Sequence, residues 1–311
     1  MSSNRPEHAE PLDLAPLTDP AARSTAATHA RRQEQDHDPT AGASWFGVGC
    51  ALAVVAVLGV PTAALFGILA FEHGFGWAIA AIVVALATVG IFVRVLRSAS
   101  RERRSAPVRR SRLERFAAAN GLDYEPNVED PAHAGQLFTL GRDRVAHDVI
   151  RWPEGRLEVA NLQYVTEGYR GIRSVSEWGY VTAPLGGTGP ELLLVGRTTA
   201  GAFGAGLTSA FDARTPTRLD APDGDRFELW AWPRDLDSAR RVVDGALLSA
   251  LAVHAAGLEI VGGRILLFAH RPLSTVDPTT WRWILMTIAM IQERVAALGP
   301  RGHADAPGAG E

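Results

Sequence analysis

LEIVGGRILLF, residues 258–268, is the stretch from which the fold of this chain is read. Two apolar runs flank Gly262-Gly263, and a Gly-Gly pair accepts the positive φ angles that a two-residue hairpin turn requires. The pattern predicts two adjacent antiparallel strands. Upstream, strand-like runs recur at residues 136–140, 144–152, 156–165, 175–183, 191–196 and 226–232. Gly, Pro and Asp clusters separate them instead of helices, which favours antiparallel meanders over βαβ units. In the run 156–165 the apolar phase passes from Leu157 and Val159 to Leu162 and Tyr164, and the spacing predicts a bulge there.

Helical patterns frame these runs. Leu113, Phe116 and Ala117 suit an opening helix over 111–120, with Gly121 as its stop. A second helix is predicted from Asp235 through Leu236, Val243, Leu247 and Leu251 to a stop at Gly257. The last opens on Asp277 as N-cap and Pro278 at its first turn, and runs through Trp281, Ile284, Leu285, Ile288, Ile291 and Val295. The expected class for residues 111–298 is α+β: a largely antiparallel sheet with covering helices.

Ahead of this domain stand two apolar runs, residues 45–71 and 75–96, parted by Glu72, His73 and Gly74. Each has the roughly 20 apolar residues that a bilayer crossing needs. The expectation is a two-helix transmembrane hairpin over 44–97 and a basic juxtamembrane linker over 98–110. Arginines crowd behind the second run and Arg31 and Arg32 precede the first, so the positive-inside rule places both termini in the cytoplasm and the protein as multi-pass in the inner membrane. Trp45, Trp77, Arg94, Arg97, Arg101, Arg103 and Arg104 are the candidate membrane-interface residues. Gly59, Ala63 and Gly67 repeat at four-residue spacing, which allows a homo-oligomer through close helix approach as well as packing within the hairpin. Neither run has an ionisable residue near its middle, so the pair reads as an anchor and not as a channel or transporter.

Composition narrows the chemistry. The net charge is -3 over 311 residues, which supplies no general attraction to nucleic acid. All 31 basic residues are arginine, a usage that a GC-rich genome, in keeping with the many Ala, Gly, Val and Asp residues, explains better than recognition of phosphate or RNA does. Cys50, the single cysteine, lies in the first apolar run, leaving no disulfide, Cys-based zinc site or Cys nucleophile to the domain. A cleaved signal peptide is not expected, because 44 residues precede that run. Residues 1–43, with neither aromatic residues nor an apolar period, and residues 299–311 are expected to be disordered tails.

The remaining motifs are weak. Gly201, Gly204 and Gly206 lack the Lys and Ser/Thr of a phosphate loop and read as a loop. His147 and Asp148 are neighbours in a strand run, so they point to opposite faces and form no dyad. His254 falls on the apolar face of its helix, as a core histidine would, and His270 ends a strand run. Trp230 and Trp232 share a face, where Trp152, Trp178 and Tyr180 could join them in an aromatic groove or in ordinary core packing. No metal, cofactor or catalytic constellation is expected.

LERFAAANGLDY (113–124), EVANLQY (158–164), EWGY (177–180), FELWAW (227–232) and LEIVGGRILLF resemble a group of uncharacterised two-span actinobacterial integral membrane proteins over roughly residues 45–298. The resemblance implies a location and an architecture, with no activity or site residues to transfer. The leading expectation is a membrane-anchored cytoplasmic binding or scaffolding module without catalysis. Its partners would be the lipid bilayer and another membrane or cytoplasmic protein, with no nucleic acid. The alternative is an enzyme acting at the inner membrane surface on a lipid or envelope precursor, with His147, Glu158 or Asn161 lining its pocket.

Overall fold

The computed structural model describes residues 12–19, 83, 86–87, 90, 106–167, 173–187, 189–197 and 226–299. The chain divides into two units, one comprising Met1–Asp19 with Arg112–Glu311 and the other Pro20–Ser111. In the latter, the described residues are Val83, Leu86, Ala87, Gly90 and 106–111, all helical.

Among the described residues of the larger unit are eight strands: β1 (Asp123–Glu129), β2 (Arg142–Arg151), β3 (Glu158–Glu167), β4 (Arg173–Pro184), β5 (Leu192–Gly196), β6 (Phe227–Ala231), β7 (Gly257–Val261) and β8 (Arg264–Ala269). They form one sheet in the order β1-β2-β3-β4-β8-β7-β5-β6, and every pairing in it is antiparallel. The helices are α1 (Ala15–Thr18), α2 (residues 106–119), α3 (Leu236–Val242), α4 (Gly245–Val253) and α5 (Pro278–Ala297). Gly262 and Gly263 turn the β7–β8 hairpin with φ of 57° and 72°, values that an L side chain would resist.

Both faces of the sheet centre are buried, and this explains strands that read as continuous apolar runs. Along Leu192-Leu193-Leu194-Val195 every residue is buried. Leu192 and Leu194 join the helical layer, where Phe116, Val242, Leu251, Trp281, Ile284 and Ile291 cover the sheet. Leu193 and Val195 join the opposite face, with Tyr164, Trp178, Tyr180, Leu266 and Phe268. That second face is closed by the segment after β1, whose Leu137 and Phe138 insert into it. Residues 136–140 therefore do not form the expected strand; Gln136–Thr139 is a 3-10 turn that covers one.

Burial on two sides also corrects the expected bulge. β3 pairs with β4 in unbroken register from Glu158↔Thr182 to Glu167↔Arg173, so Val159 and Leu162 face different cores without any slip. The irregularities lie in β2 instead, where the register to β3 jumps between Arg142 and Val145 and again between His147 and Ile150. Asp148 sits in the second of these at φ 52°, its carboxylate accepting from Tyr124 Oη at 3.0 Å and its carbonyl from Ser274 Oγ at 2.6 Å. The expected helix from Asp235 to Gly257 is broken in two. Asp244 caps α4 by accepting from Leu247 N at 2.8 Å, and a capping side chain stops one helix as it starts the next. β1, with Pro126 within it, was not among the expected strands and forms one edge of the sheet.

Two larger expectations are corrected. Among the described residues no helix is long and apolar enough to cross a membrane. The longest, α5, has the length but is amphipathic, with Arg282, Gln292, Glu293 and Arg294 along it. The two-helix transmembrane hairpin, and the multi-pass inner-membrane placement that rested on it, are withdrawn on that finding. Trp45, Trp77, Arg94, Arg97, Arg101, Arg103 and Arg104 lie outside the described residues, as do both apolar runs apart from the four positions named above. The tail 1–43 is not disordered throughout: residues 12–19 are placed, and Leu17 is fully buried in the helical core.

Candidate functional site

Across the face opposite the helices, strand pairing sets polar side chains into one row of an apolar surface. The register Arg151↔Glu158↔Thr182↔Leu266↔Glu259↔Leu193 runs over β2, β3, β4, β8, β7 and β5. Glu158, Thr182 and Glu259 are all buried. Such residues need partners or must surrender their charge, and the two glutamates take opposite courses.

Glu158 is surrounded by donors. Its Oε1 accepts from Tyr180 Oη at 2.6 Å and lies 2.6 Å from His133 Nε2; its Oε2 accepts from Arg151 Nε at 2.7 Å. Burial alone would raise its pKa, but the bonds from His133, Tyr180 and Arg151 outweigh burial and hold it at about 2. The carboxylate is thus an anion at any ordinary pH and can only accept, so His133 must carry its proton on Nε2. Burial and the adjacent Glu158 charge push the Tyr180 phenol well above its ordinary value, which keeps it a donor. Arg151 NH1 reaches on to Glu125 Oε2 at 2.6 Å.

Among the described residues Glu259 has one hydrogen-bond partner. Its Oε2 accepts from Gln136 N at 2.8 Å, and burial raises it to about 7 against that single lowering contact. The two carboxylates grip the same segment, Glu158 through His133 and Glu259 through Gln136 N. Gly135 lies between these anchors at φ 131°; a Cβ there would stand 2.5 Å from Leu266 Cδ2 and 3.1 Å from Glu259 Oε2. Only glycine lets the backbone come so close to the sheet.

Between this segment and the turn after β2 opens a cleft of about 250 Å³, lined by His133, Ala134, Arg151, Gly155, Glu158 and Arg264 among others. Arg264 donates from Nε to Thr182 Oγ1 at 3.0 Å, and among the described residues its terminal nitrogens have no carboxylate partner. His133 Nδ1 likewise has no partner among the described residues, and opposite Nε2–H it is an acceptor in the neutral ring. The cleft therefore offers a guanidinium fork and one imidazole acceptor. Among the described residues no three His, Cys, Asp or Glu side chains converge as a metal centre would require.

The residues expected to share a pocket do not converge. Glu158 lines the cleft, but Asn161 projects to the other face, where it accepts from Leu273 N and Ser274 N and donates to Ser274 O. His147 is held beside Asn127 and Gln163, away from Glu158. His254 is no core histidine: it caps the end of α4 half-buried, its ring 4.2 Å from that of Trp283, with Nδ1 accepting from Arg271. Nor do the tryptophans make a groove. Trp178 and Tyr180 belong to one face and Trp230 packs against them, whereas Trp152 packs with Trp281 on the helical side. Gly201, Gly204 and Gly206 lie outside the described residues.

His133, Arg264 and Glu259 were not picked out from the sequence. The available signal was a carboxylate inside an otherwise apolar strand run, EVA at 158–160 and LEIV at 258–261, where a charge demands a partner. Comparison of the chain with protein-family models, with curated proteins and with solved structures found no match.

Proposed function

We propose that the domain is a binding module whose cleft holds a small anion, a carboxylate or phosphate carrying a hydroxyl group. The observation that carries this reading is Arg264, a half-buried guanidinium at a cleft wall that has no counter-ion among the described residues. A guanidinium fork matches the paired oxygens of such groups. The ligand hydroxyl would donate to His133 Nδ1. Glu158 is not a competitor for Arg264, because its oxygens already accept from three donors.

Titration of the full chain with inorganic phosphate and with glycolate, followed by calorimetry and by the His133 ring resonances, tests this. Saturable binding that Arg264→Gln weakens at least tenfold supports it. Equal behaviour of wild type and Arg264→Gln, or no saturation with either anion, refutes it. A second reading, proton transfer, draws on the 2.6 Å Glu158–His133 pair, which orients an imidazole as a general base is oriented. In that case turnover of a bound hydroxyl compound would vanish in His133→Gln while anion binding persisted.

A further inference from the structure

We infer that residues 12–19 are a docking peptide bound in cis, and that the surface they occupy on α2 is a peptide-binding groove. A partner segment of the same chemistry, Leu-x-Leu-x-x-Leu followed by an aspartate, enters it when residues 12–19 leave. The segment reads LDLAPLTD. Leu17 is fully buried, and Leu12 and Leu14 pack half-buried on the same core as Leu113, Phe116 and Ala117. Around these leucines lies a polar frame. Asp13 N donates to Asn120 Oδ1 at 2.7 Å, Asn120 Nδ2 returns a bond to Asp13 O at 3.0 Å, and Arg115 NH1 meets Asp19 Oδ2 at 2.9 Å. Leucines for the groove and polar contacts for register are the division of labour of peptide recognition by a helix surface.

The attachment is long-range and weakly built. Asp13 and Asn120 are 107 positions apart, and residues 20–111 intervene as a separate unit. The α1 turn has four residues and no side-chain cap. One wholly buried leucine and two half-buried ones, with a few polar contacts, are set against the ordering of eight residues, which leaves little margin to hold the segment. Such a ligand exchanges while the sheet beneath it stays folded. Asp19, paired with Arg115, sets the acidic flank that a competing peptide must carry, whereas Asp13 is held through its backbone and turns its own carboxylate to Ala15 N.

The test uses the full chain, wild type and Leu17→Asp, and a fluorescein-labelled peptide of residues 10–21 read by anisotropy. The expected result is saturable binding to Leu17→Asp at least tenfold tighter than to wild type, abolished by Asn120→Ala in the same chain and by scrambling the peptide. A folded Leu17→Asp chain that takes no peptide, or binds no better than wild type, overturns the inference. Should Leu17→Asp fail to fold, amide hydrogen exchange on wild type decides instead. The Leu17 and Thr18 amides are expected to exchange at least a hundredfold faster than those of β3 and β4. Exchange only by global unfolding would make the segment a permanent part of the core and refute the proposal.

Discussion

Replacing Glu259 by glutamine should make the protein more resistant to rising pH, by an amount that follows from its burial. The ordinary value for a glutamate is 4.5, and in the folded chain burial holds Glu259 at about 7. Between those two values the folded state keeps a proton that the unfolded state has released, so stability falls as pH rises through that window and levels off above it. The window spans about 2.5 pH units, and at about 1.4 kcal/mol for each the native protein at pH 8 carries a burden of about 3 kcal/mol that is absent at pH 4. Glutamine keeps an oxygen for Gln136 N but adds an amide N–H₂ in an apolar setting, costing about 1–3 kcal/mol at every pH. The decisive quantity is therefore the change in the mutational effect between pH 4 and pH 8, in which that constant cost cancels. Urea titrations of both chains, followed by tryptophan fluorescence at several pH values, should show Glu259→Gln gaining about 3 kcal/mol relative to wild type over this range, or about 6–12 °C in Tm for a domain of this size. A mutational effect that varies by less than about 1 kcal/mol from pH 4 to pH 8 would refute the assignment of Glu259 as a buried, singly bonded acid.

Glu158 should behave in the opposite sense. Held at about 2, it stabilises the fold above pH 4.5 and loses that contribution as pH falls toward 2; Glu158→Gln should cost about 2 kcal/mol at pH 7, allowing for solvent screening, and markedly less in urea titrations at pH 3. Gly135→Ala forces a Cβ to within 2.5 Å of Leu266 Cδ2 at φ 131°; a loss of about 2 kcal/mol with weakened phosphate binding is expected in melting and calorimetry. Asp244→Ala removes both the α4 cap and the bidentate contact to Arg294 NH2 at 2.9 and 2.7 Å; thermal melts should show a cost of about 1–2 kcal/mol.

Elements whose signals are local were legible in the sequence. The Gly262-Gly263 turn, the Asp277-Pro278 start of α5 and the Gly121 stop of α2 each follow from the backbone preference of one or two residues. What escaped depends on distant partners. Asp244 looks like any polar residue in a helical stretch until its cap geometry and Arg294 are seen together. LDLAPLTD carries three leucines in a polar tail, and its place in the core is set by Phe116 and Asn120, about a hundred positions away. The phase change from Val159 to Leu162 suggested a bulge because one buried face was assumed; with two buried faces it needs none. The apolar runs at 45–71 and 75–96 show the converse risk, since hydropathy and length alone carried an expectation that the described helices do not support.

The site was hidden for a related reason. Of the groups at the cleft and behind it, Glu158 lies in β3, Arg151 in β2, Arg264 in β8 and His133 in the segment after β1, while Tyr180 reaches Glu158 from β4 within the core. No two belong to one motif, and only strand order brings them together. A purely architectural role for this group is the weaker explanation, because buried ion pairs seldom improve on well-packed apolar side chains, and this face supplies Leu266, Phe268 and Leu193 in plenty. An architectural network also closes on itself. Glu158 does close, with each oxygen engaged, but Arg264, one strand beyond Thr182, lines the cleft and among the described residues has no carboxylate on its terminal nitrogens. On the proposed reading, Glu158 is the closed centre of the group, and Arg264, without a counter-ion among the described residues, is the margin that a ligand would complete.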